Sequence, residues 1–448
     1  MQEQGLGTDT DNAAKTSAAD QAAEAEKAGN AGNTTVRTDR NPASRYFEIV
    51  ENGSVTTPAG FRAGGLHCGL KKAERHDLGA IACDVPATAA AVYTRNRFRA
   101  APLKVTEESI AAEGRLQVMV VNSGNANACT GEQGLRDARD MRDAAAKAFG
   151  VEPHLVGVTS TGVIGEWLPM DKVRAGIGRL PERVSVAGSD DFCQAILTTD
   201  LVKKTAAVRL SVDGRSVHIG GAAKGSGMIH PDMATMLGFI TTDARIGHAE
   251  LQRLLRETTD ETFNMITVDG DTSTNDMVVA MASGLAGNDP LSPGHPDWPA
   301  FRAAFLHVAR ELAKAIARDG EGATKLIEVR VKGAASREAA RVIAKTVIGS
   351  SLVKSAAFGA DANWGRIIAA IGRAGVPVNT ETVDIRIGPI ETLRMSQPVP
   401  FSEEEALAYL KGAEHVYEID LHMGDGEAVA WGCDLTYEYV RINAAYRT

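Results

Sequence analysis

From Tyr46 onward, short strand-like and helix-like patterns follow one another along the chain without regular alternation. The apolar run Leu116–Val121 ends in Asn-Ser-Gly, which predicts a buried strand that enters a turn. Residues 299–318 place their large apolar side chains on one face and are followed by Gly320, which predicts a helix and its end. Because strict strand–helix alternation is missing, an α+β fold with antiparallel sheets covered by helices is favoured over a doubly wound parallel sheet.

The same periodicities predict most of the remaining elements. Residues 205–219 alternate around Asp213-Gly214, which is typical of a β-hairpin. The other predicted elements are helices at 135–149, 337–347 and 403–411, a strand at 326–332, and two strands within 417–442 around Gly424-Asp425-Gly426. The apolar pattern of Leu435–Ile442 predicts that the C-terminal end is held in a sheet.

Composition excludes several classes of protein. The chain has 448 residues, 44% of them hydrophobic, and a formal net charge of −9. This acidic balance argues against a general nucleic-acid binder, because such proteins displace counterions from phosphates with a basic face. No apolar run approaches the roughly 20 residues of a membrane-spanning helix, so a membrane protein is not expected either.

Residues that could suggest metal, disulfide or thiol chemistry do not form the required patterns. The five cysteines are scattered without a CxxC pair, which predicts no disulfide framework and a reducing cytoplasm. The histidines include no HExxH, and no metal site is predicted. Asp269, Asp271 and Asp276 form an acidic cluster without the twelfth-position glutamate of a calcium loop, and we interpret them as a polar loop. Cys129 has no histidine near it in sequence and is not favoured as a nucleophile.

Residues 1–45 differ from the rest of the chain. They contain no aromatic residue and offer only Leu6 and Val36 to a core. Such a segment buries too little apolar surface to offset the entropy of ordering it, which predicts a disordered tail. It has neither the apolar centre of a secretory signal nor the acid-poor composition of a transit peptide, although a processed leader of another kind stays open.

The glycine-rich segment 220–244 has two interpretations from chemistry alone. A phosphate loop would need GxxxxGK followed by Ser or Thr, but here Lys224 precedes Gly225, and GxGxxG is absent too. The alternative centres on Thr235, because a threonine becomes a competent nucleophile when chain cleavage before it frees its own α-amine as a base. From chemistry alone, a plain buried threonine at the start of a strand or helix remains the competing interpretation.

At this segment the sequence resembles the ornithine acetyltransferase (ArgJ-type) family, which cleaves itself before this threonine. The resemblance extends from about residue 55 to the last residue, in the family's order, and leaves out only the tail. The matching blocks include TPAGFRAGGLHCGLK (57–71), DVPATAAAVYTRNRF (84–98), VNSGNANACTG (121–131), TSTGVIG (159–165), TTDLVKK (198–204), KGSGMIHPDMATMLGFITTDA (224–244), FNMITVDGDTSTND (263–276), DGEGATKLIEV (319–329), VKSAAFGADANWGRI (353–367) and DLTYEYVRINAAYRT (434–448). His230 and Asp232 depart from the pattern of many members, which bears on the rate of cleavage.

The resemblance implies roles for named residues. It implies cleavage between Ala234 and Thr235, with Thr235 as nucleophile and Thr161 with Gly162 as an oxyanion hole. The implied substrate-binding residues are Thr198 (or its neighbour Thr199), Lys224, Thr235, Glu321, Asn443 and Thr448. Lys224 would pair with a substrate α-carboxylate, and Glu321 would present a carboxylate to an amine.

The same resemblance implies the fold and the reaction. The fold would have two lobes of stacked sheets between helices, in an arrangement like that of N-terminal-nucleophile hydrolases, with lobes at 46–234 and 235–448. The enzyme would transfer acetyl from N2-acetyl-L-ornithine to L-glutamate by a ping-pong mechanism in the cytoplasm, as an α2β2 assembly of its cleavage products. No cofactor is expected, and acetyl-CoA stays open as a second acetyl donor. Two alternatives stay open: an amidase or aminopeptidase that uses the same threonine with water as acceptor, and a non-catalytic protein that binds a small ligand.

Overall fold

The computed structural model describes residues 46–72, 74–230 and 236–445. The predicted tail, the Ala234–Thr235 bond and Thr448 lie outside the described residues. The strands are β1 Glu48–Ile49, β2 Phe61–Leu66, β3 Leu78–Tyr93, β4 Arg115–Asn125, β5 Val156–Val163, β6 Lys204–Val212, β7 Arg215–Lys224, β8 Leu237–Thr242, β9 Ile266–Thr267, β10 Met277–Ala282, β11 Leu326–Ala334, β12 Asp384–Ile387, β13 Ile390–Arg394, β14 Gln397–Pro398, β15 Glu414–Asp420 and β16 Gly426–Cys433. The helices are α1 Ala101–Glu113, α2 Gly131–Phe149, α3 Met170–Arg179, α4 Ser189–Ile196, α5 His248–Glu261, α6 Trp298–Arg318, α7 Arg337–Ile348, α8 Ser351–Phe358, α9 Trp364–Gly372, α10 Glu403–Leu410 and α11 Tyr437–Ala444.

Two mixed sheets organise the described part of the chain. The first has nine strands in the order β1-β6-β7-β8-β10-β3-β4-β5, with β2 also paired to β3. The second has seven strands in the order β14-β13-β12-β15-β11-β16-β9. β8 and β10 follow residue 235 in sequence, whereas β7 and β3 precede it. In the first sheet, β8 and β10 lie between β7 and β3. Strands from both sides of the predicted cleavage point therefore share one sheet.

The strands of the first sheet are buried on both faces near the centre. On β3, Ala90 and Val92 face one apolar cluster while Ala89 and Ala91 face another, as the two-residue period of a strand requires. All six residues of β8 are buried, and β8 pairs in parallel with β10. Burial along the whole length of the strand is typical of a strand that is covered on both faces.

Helix α6 joins the two sheets through its long apolar face. It contacts β6 and β7 of the first sheet and β11 and β16 of the second. Phe301, Phe305, Val308 and Leu312 on this face are fully buried. Burying side chains of this size stabilises a fold by about 1.5–3 kcal/mol each, so α6 contributes strongly to the common core. Among the described residues, no helix is long and apolar enough to span a membrane.

The structure confirms the α+β prediction and most of the predicted elements. The hairpin corresponds to β6 and β7, and the helix predicted at 299–318 corresponds to α6. Helix α2 begins earlier than predicted, at Gly131. The sheets are mixed rather than antiparallel, because helical crossovers such as the one between β4 and β5 return the chain in the same direction.

The prediction of a strand at Leu435–Ile442 is wrong. This segment forms helix α11, which begins after Thr436, whose hydroxyl oxygen accepts the main-chain N–H of Glu438. None of the residues in α11 is buried, and Tyr437 and Val440 are among the most exposed large side chains. The apparent alternation was misleading because the apolar side chains here do not enter a core. The N-terminal cap decides the local structure instead.

Candidate active site

A cavity of about 300 Å³ opens where several strands of the first sheet end. It is lined by Thr161, Gly162, Val163, Ile164, Thr198, Thr199, Lys224, Gly227, Met228, Ile229, Met236, Leu237, Ser273, Asn275, Asp276, Glu321 and Asn443. Every predicted site residue in the described part of the chain belongs to this lining, and so does Thr199. Ala234, Thr235 and Thr448 lie outside the described residues, but Met236, which follows Thr235 directly, is part of the cavity wall.

Sheet register brings the central residues of the cavity together. Lys224, the last residue of β7, pairs with Leu237, the first residue of β8. Leu237 in turn pairs with Met277, the first residue of β10. Because paired strands lie about 4.7–4.9 Å apart, Lys224, the chain after the predicted cleavage point and Asp276 are close neighbours at one edge of the sheet.

Lys224 supplies a buried cation. Its side chain is 9% exposed, and its Nζ donates to the Thr198 hydroxyl at 2.8 Å and to the Thr161 hydroxyl at 3.4 Å. Burial lowers the pKa of Lys224, while Asp200, with one oxygen 3.9 Å from Nζ, opposes this shift. The ammonium therefore faces two hydroxyls and the cavity, where it can bind an anionic group.

A buried ion triad supports this lysine from behind. Lys204 Nζ lies 2.7 Å from Asp200 Oδ1 and 2.6 Å from Asp319 Oδ2. Asp200 also accepts the main-chain N–H groups of Gly225 at 2.6 Å and Thr198 at 3.0 Å. Burial alone would raise the pKa of Asp200, but Lys224 and Lys204 together hold it well below its usual range. Asp200 is therefore a fixed anion that orders residues on two sides of the cavity.

The Thr161-Gly162 corner has a backbone that only glycine suits. Gly162 has a φ of +134°, and a Cβ on it would lie 2.3 Å from the carbonyl carbon of Gly124. The Asn275 amide donates to the carbonyls of Ser160 at 2.9 Å and Ala126 at 2.5 Å, which fixes the strand just before this corner. These contacts hold a hydroxyl and a main-chain N–H beside the cavity, the kind of donors that an oxyanion hole requires.

Glu321 and Asn443 form a polar pair on the cavity wall. The Asn443 amide donates to Glu321 Oε2 at 2.7 Å, and the Glu321 main-chain N–H donates to the Ser226 carbonyl at 3.0 Å. A Cβ on Gly227 would lie 2.3 Å from the Glu321 carboxyl carbon, so glycine is needed there for the carboxylate to approach. This pair offers a carboxylate to a positively charged group of a ligand.

The acidic cluster that the sequence predicts as a polar loop divides into different roles. Asp269 accepts the main-chain N–H groups of Met228 at 2.7 Å and Ile229 at 2.9 Å, which closes the loop that follows Gly227. Asp276 lies in the cavity wall and is only 3% exposed. Burial raises the pKa of Asp276 well above its usual value, against opposing contributions from the Ser273 hydroxyl and Lys224.

Comparison with known protein families identifies the chain. A model of the ArgJ family matches residues 62–448. The chain belongs to the ArgJ family. The arginine biosynthesis bifunctional protein ArgJ of Geobacillus kaustophilus is 63% identical over 399 residues, which are 89% of this chain and 97% of that protein. The protein of the same description from Bacillus subtilis is 56% identical over 402 residues, which are 90% of this chain and 98% of that protein.

Two solved structures are also similar to this chain. One is the crystal structure of arginine biosynthesis bifunctional protein argJ from Bacillus halodurans, with 63% sequence identity and a TM-score of 0.47. The match covers 47% of this chain and 100% of the chain in that structure. Ornithine acetyltransferase complexed with ornithine from Mycobacterium tuberculosis has 38% identity and a TM-score of 0.39, covering 42% of this chain and 100% of that chain. The family and curated relatives confirm the prediction of an ArgJ-type acetyltransferase of arginine biosynthesis.

In this ArgJ-family chain, sequence reasoning missed the triad of Asp200, Lys204 and Asp319. Asp200 and Lys204 are four residues apart within the TTDLVKK block, and this spacing of opposite charges was a usable signal. Asp319 could not be added from sequence, because it lies 115 residues further along the chain than Lys204. The buried state of Asp276 likewise depends on strand packing and not on a local pattern.

Proposed function

We propose that this chain cleaves itself before Thr235 and then transfers acetyl from N2-acetyl-L-ornithine to L-glutamate through the Thr235 hydroxyl. The observation that carries this proposal is the shared cavity beside Met236. There, a buried lysine, a hydroxyl with a glycine N–H and a carboxylate meet next to the residue that follows Thr235. These groups correspond to the needs of acyl transfer between two amino acids.

Cleavage would begin with attack of the Thr235 hydroxyl on the Ala234 carbonyl, followed by hydrolysis of the resulting ester. The products would be chains of residues 1–234 and 235–448. Because β8 and β10 lie in the same sheet as β3 and β7, the two products would stay paired through strand hydrogen bonds. The freed amine of Thr235 would then act as the general base for its own hydroxyl.

Acetyl transfer would use the remaining cavity residues in defined roles. Lys224 would bind the α-carboxylate of each substrate in turn, with Thr198 beside it at 2.8 Å. The Thr161 hydroxyl and the Gly162 N–H would stabilise the oxyanion that forms at the acetyl carbon. Glu321, held by Asn443, would bind an amine of ornithine, and Thr448 would add a further contact.

The test begins with mass spectrometry of the purified chain. Cleavage between Ala234 and Thr235 predicts two products with the masses of residues 1–234 and 235–448. The Thr235→Ala variant is expected to remain one 47.3 kDa chain without transferase activity. If this variant still splits before residue 235, an external protease is responsible and the mechanism is wrong. Activity is measured with acetylornithine and glutamate. Release of free acetate instead of N-acetylglutamate would indicate an amidase.

Further parts of the proposal concern the second donor, the assembly and the location. The curated relatives are described as bifunctional, and acetyl-CoA in place of acetylornithine tests for a second acetyl donor. An α2β2 assembly predicts a mass near twice that of the full chain by light scattering, with both products present in equal amounts. A cytoplasmic location predicts recovery of the enzyme with cytoplasmic markers after cell fractionation.

A further inference from the structure

Asp276 lies beside the predicted cleavage point because of the sheet register. It directly precedes β10, as Met236 directly precedes β8, and the two strands pair in parallel. The Met277 N–H donates to the Met236 carbonyl at 3.0 Å, which fixes the two strand starts next to each other. Thr235 is bonded to Met236. A hydrogen bond from the Met236 main-chain N–H to the Asp276 carboxyl also helps to lower its pKa, so Asp276 lies next to the residue that follows Thr235 in sequence.

Hydrogen bonds from Ser273 and from the Met236 main-chain N–H reach the Asp276 carboxyl, but they do not satisfy both of its oxygens. It is buried and lines the cavity, and within the described part of the chain its Oδ2 has no hydrogen-bond partner. Asp200, in contrast, is paired at both oxygens by a lysine and main-chain N–H groups. A buried polar atom without a partner is costly and requires an explanation.

Because burial disfavours the charged form, the raised pKa means that this carboxyl keeps its proton to a higher pH than an ordinary aspartate does. Lys224 is the neighbouring cation that opposes this shift, and the Ser273 hydroxyl opposes it by hydrogen bonding. A neutral carboxylic acid can donate a proton from one oxygen and accept one at the other. Such a group suits a reaction in which an amide nitrogen leaves and a hydroxyl attacks.

We propose that Asp276 is the proton-transfer residue of self-cleavage before Thr235, an inference that rests on the function proposed above. The Thr235 hydroxyl oxygen bonds to the Ala234 carbonyl carbon, and the bond from that carbon to the Thr235 nitrogen breaks. The departing nitrogen takes the Asp276 proton, while the carboxyl receives the hydroxyl proton in exchange and ends neutral. Water then adds to the ester, which restores the Thr235 hydroxyl and leaves a carboxyl group on Ala234.

The experiment follows cleavage of the full chain in a cell-free translation reaction sampled over time on denaturing gels. Asp276→Asn keeps the size and the neutral charge but has no transferable carboxyl proton. Its cleavage is expected to be about a hundredfold to ten-thousandfold slower, the usual contribution of general acid–base groups. Its melting temperature is expected to equal that of Thr235→Ala, because an amide replaces a neutral acid.

Asp243→Asn is the matched control, since Asp243 is buried but does not line the cavity, and it should cleave normally.

The outcomes separate this inference from the proposed function. If the wild-type chain is not cleaved, both fail. The inference alone is wrong if the wild type is cleaved, the Thr235→Ala variant is not cleaved, and the Asp276→Asn variant is cleaved at the wild-type rate. A second measurement covers the case in which Asp276→Asn does not fold. The cleavage rate of the wild type should fall on the alkaline side as the carboxyl loses its proton, and a rate that keeps rising there would overturn the inference.

Discussion

Replacing Lys224 by methionine removes the cation from the cavity and keeps a side chain of similar length. The fold should tolerate the change, because Asp200 retains Lys204 at 2.7 Å and the N–H groups of Gly225 and Thr198. No buried charge is left unpaired, and we expect a loss of stability below about 1.5 kcal/mol. The cavity, however, loses its only described ammonium. A charge-assisted contact is worth roughly 1.5–3 kcal/mol, so kcat/KM should fall about tenfold to a hundredfold.

The loss should affect acetylornithine and glutamate alike, because in the proposed mechanism both present an α-carboxylate to the same nucleophile. The assay therefore measures kcat/KM for each substrate in Lys224→Met that has first been shown to be cleaved and folded. Lys325→Met is a suitable control, since Lys325 is a buried lysine whose ammonium donates to the carbonyls of Ala357 and Leu410 outside the cavity. If Lys224→Met loses activity with one substrate and keeps it with the other, a shared carboxylate contact at Lys224 is refuted.

Two further predictions concern the cavity, and a third concerns the N-terminal tail. In Asp200→Asn, Lys224 loses the anion that raises its pKa and therefore deprotonates at lower pH. The alkaline limb of the kcat/KM profile should move toward neutral pH, and an unchanged limb would contradict this. Thr161→Val removes one oxyanion donor and should lower kcat about a hundredfold to a thousandfold with little change in KM, which steady-state kinetics will test. Deletion of residues 1–45 should leave turnover and Tm nearly unchanged, because the segment offers almost no core residue, and a drop of many degrees would refute this.

Local periodicity predicted the elements whose apolar residues really enter a core. Helix α6 was predictable because Phe301, Phe305, Val308 and Leu312 repeat with the period of a helix and are all buried. The same reasoning failed at Tyr437–Ala444, where no apolar residue is buried and the pattern therefore carries no information about the period. Parallel pairs such as β8 with β10 were not predictable, because the crossover path decides strand direction and leaves no local pattern.

Residues of the candidate site could be predicted from the sequence only where they belong to a motif that resembles the family. The family resemblance gave Thr161, Gly162 and Lys224 by position, and the structure brings all three to one cavity. It assigned no role to Asp200, which orders Lys224 and Thr198 from behind. Supporting residues of this kind are recognised by burial and by contacts between distant segments, and both require the folded chain.

The spacing of the cavity depends on strand register more than on loops. Lys224, Leu237 and Met277 lie on three adjacent strands and are directly paired, which brings the cation, the chain after the predicted cleavage point and Asp276 to one edge. Both strands are buried along their whole length, so a slip of one residue would exchange the side chains that pack on the two faces and disrupt both sets of contacts. The core that stabilises the sheet thus also fixes the distances among the cavity residues. Substitutions in β8 or β10 that loosen packing should therefore impair cleavage and transfer before they unfold the chain.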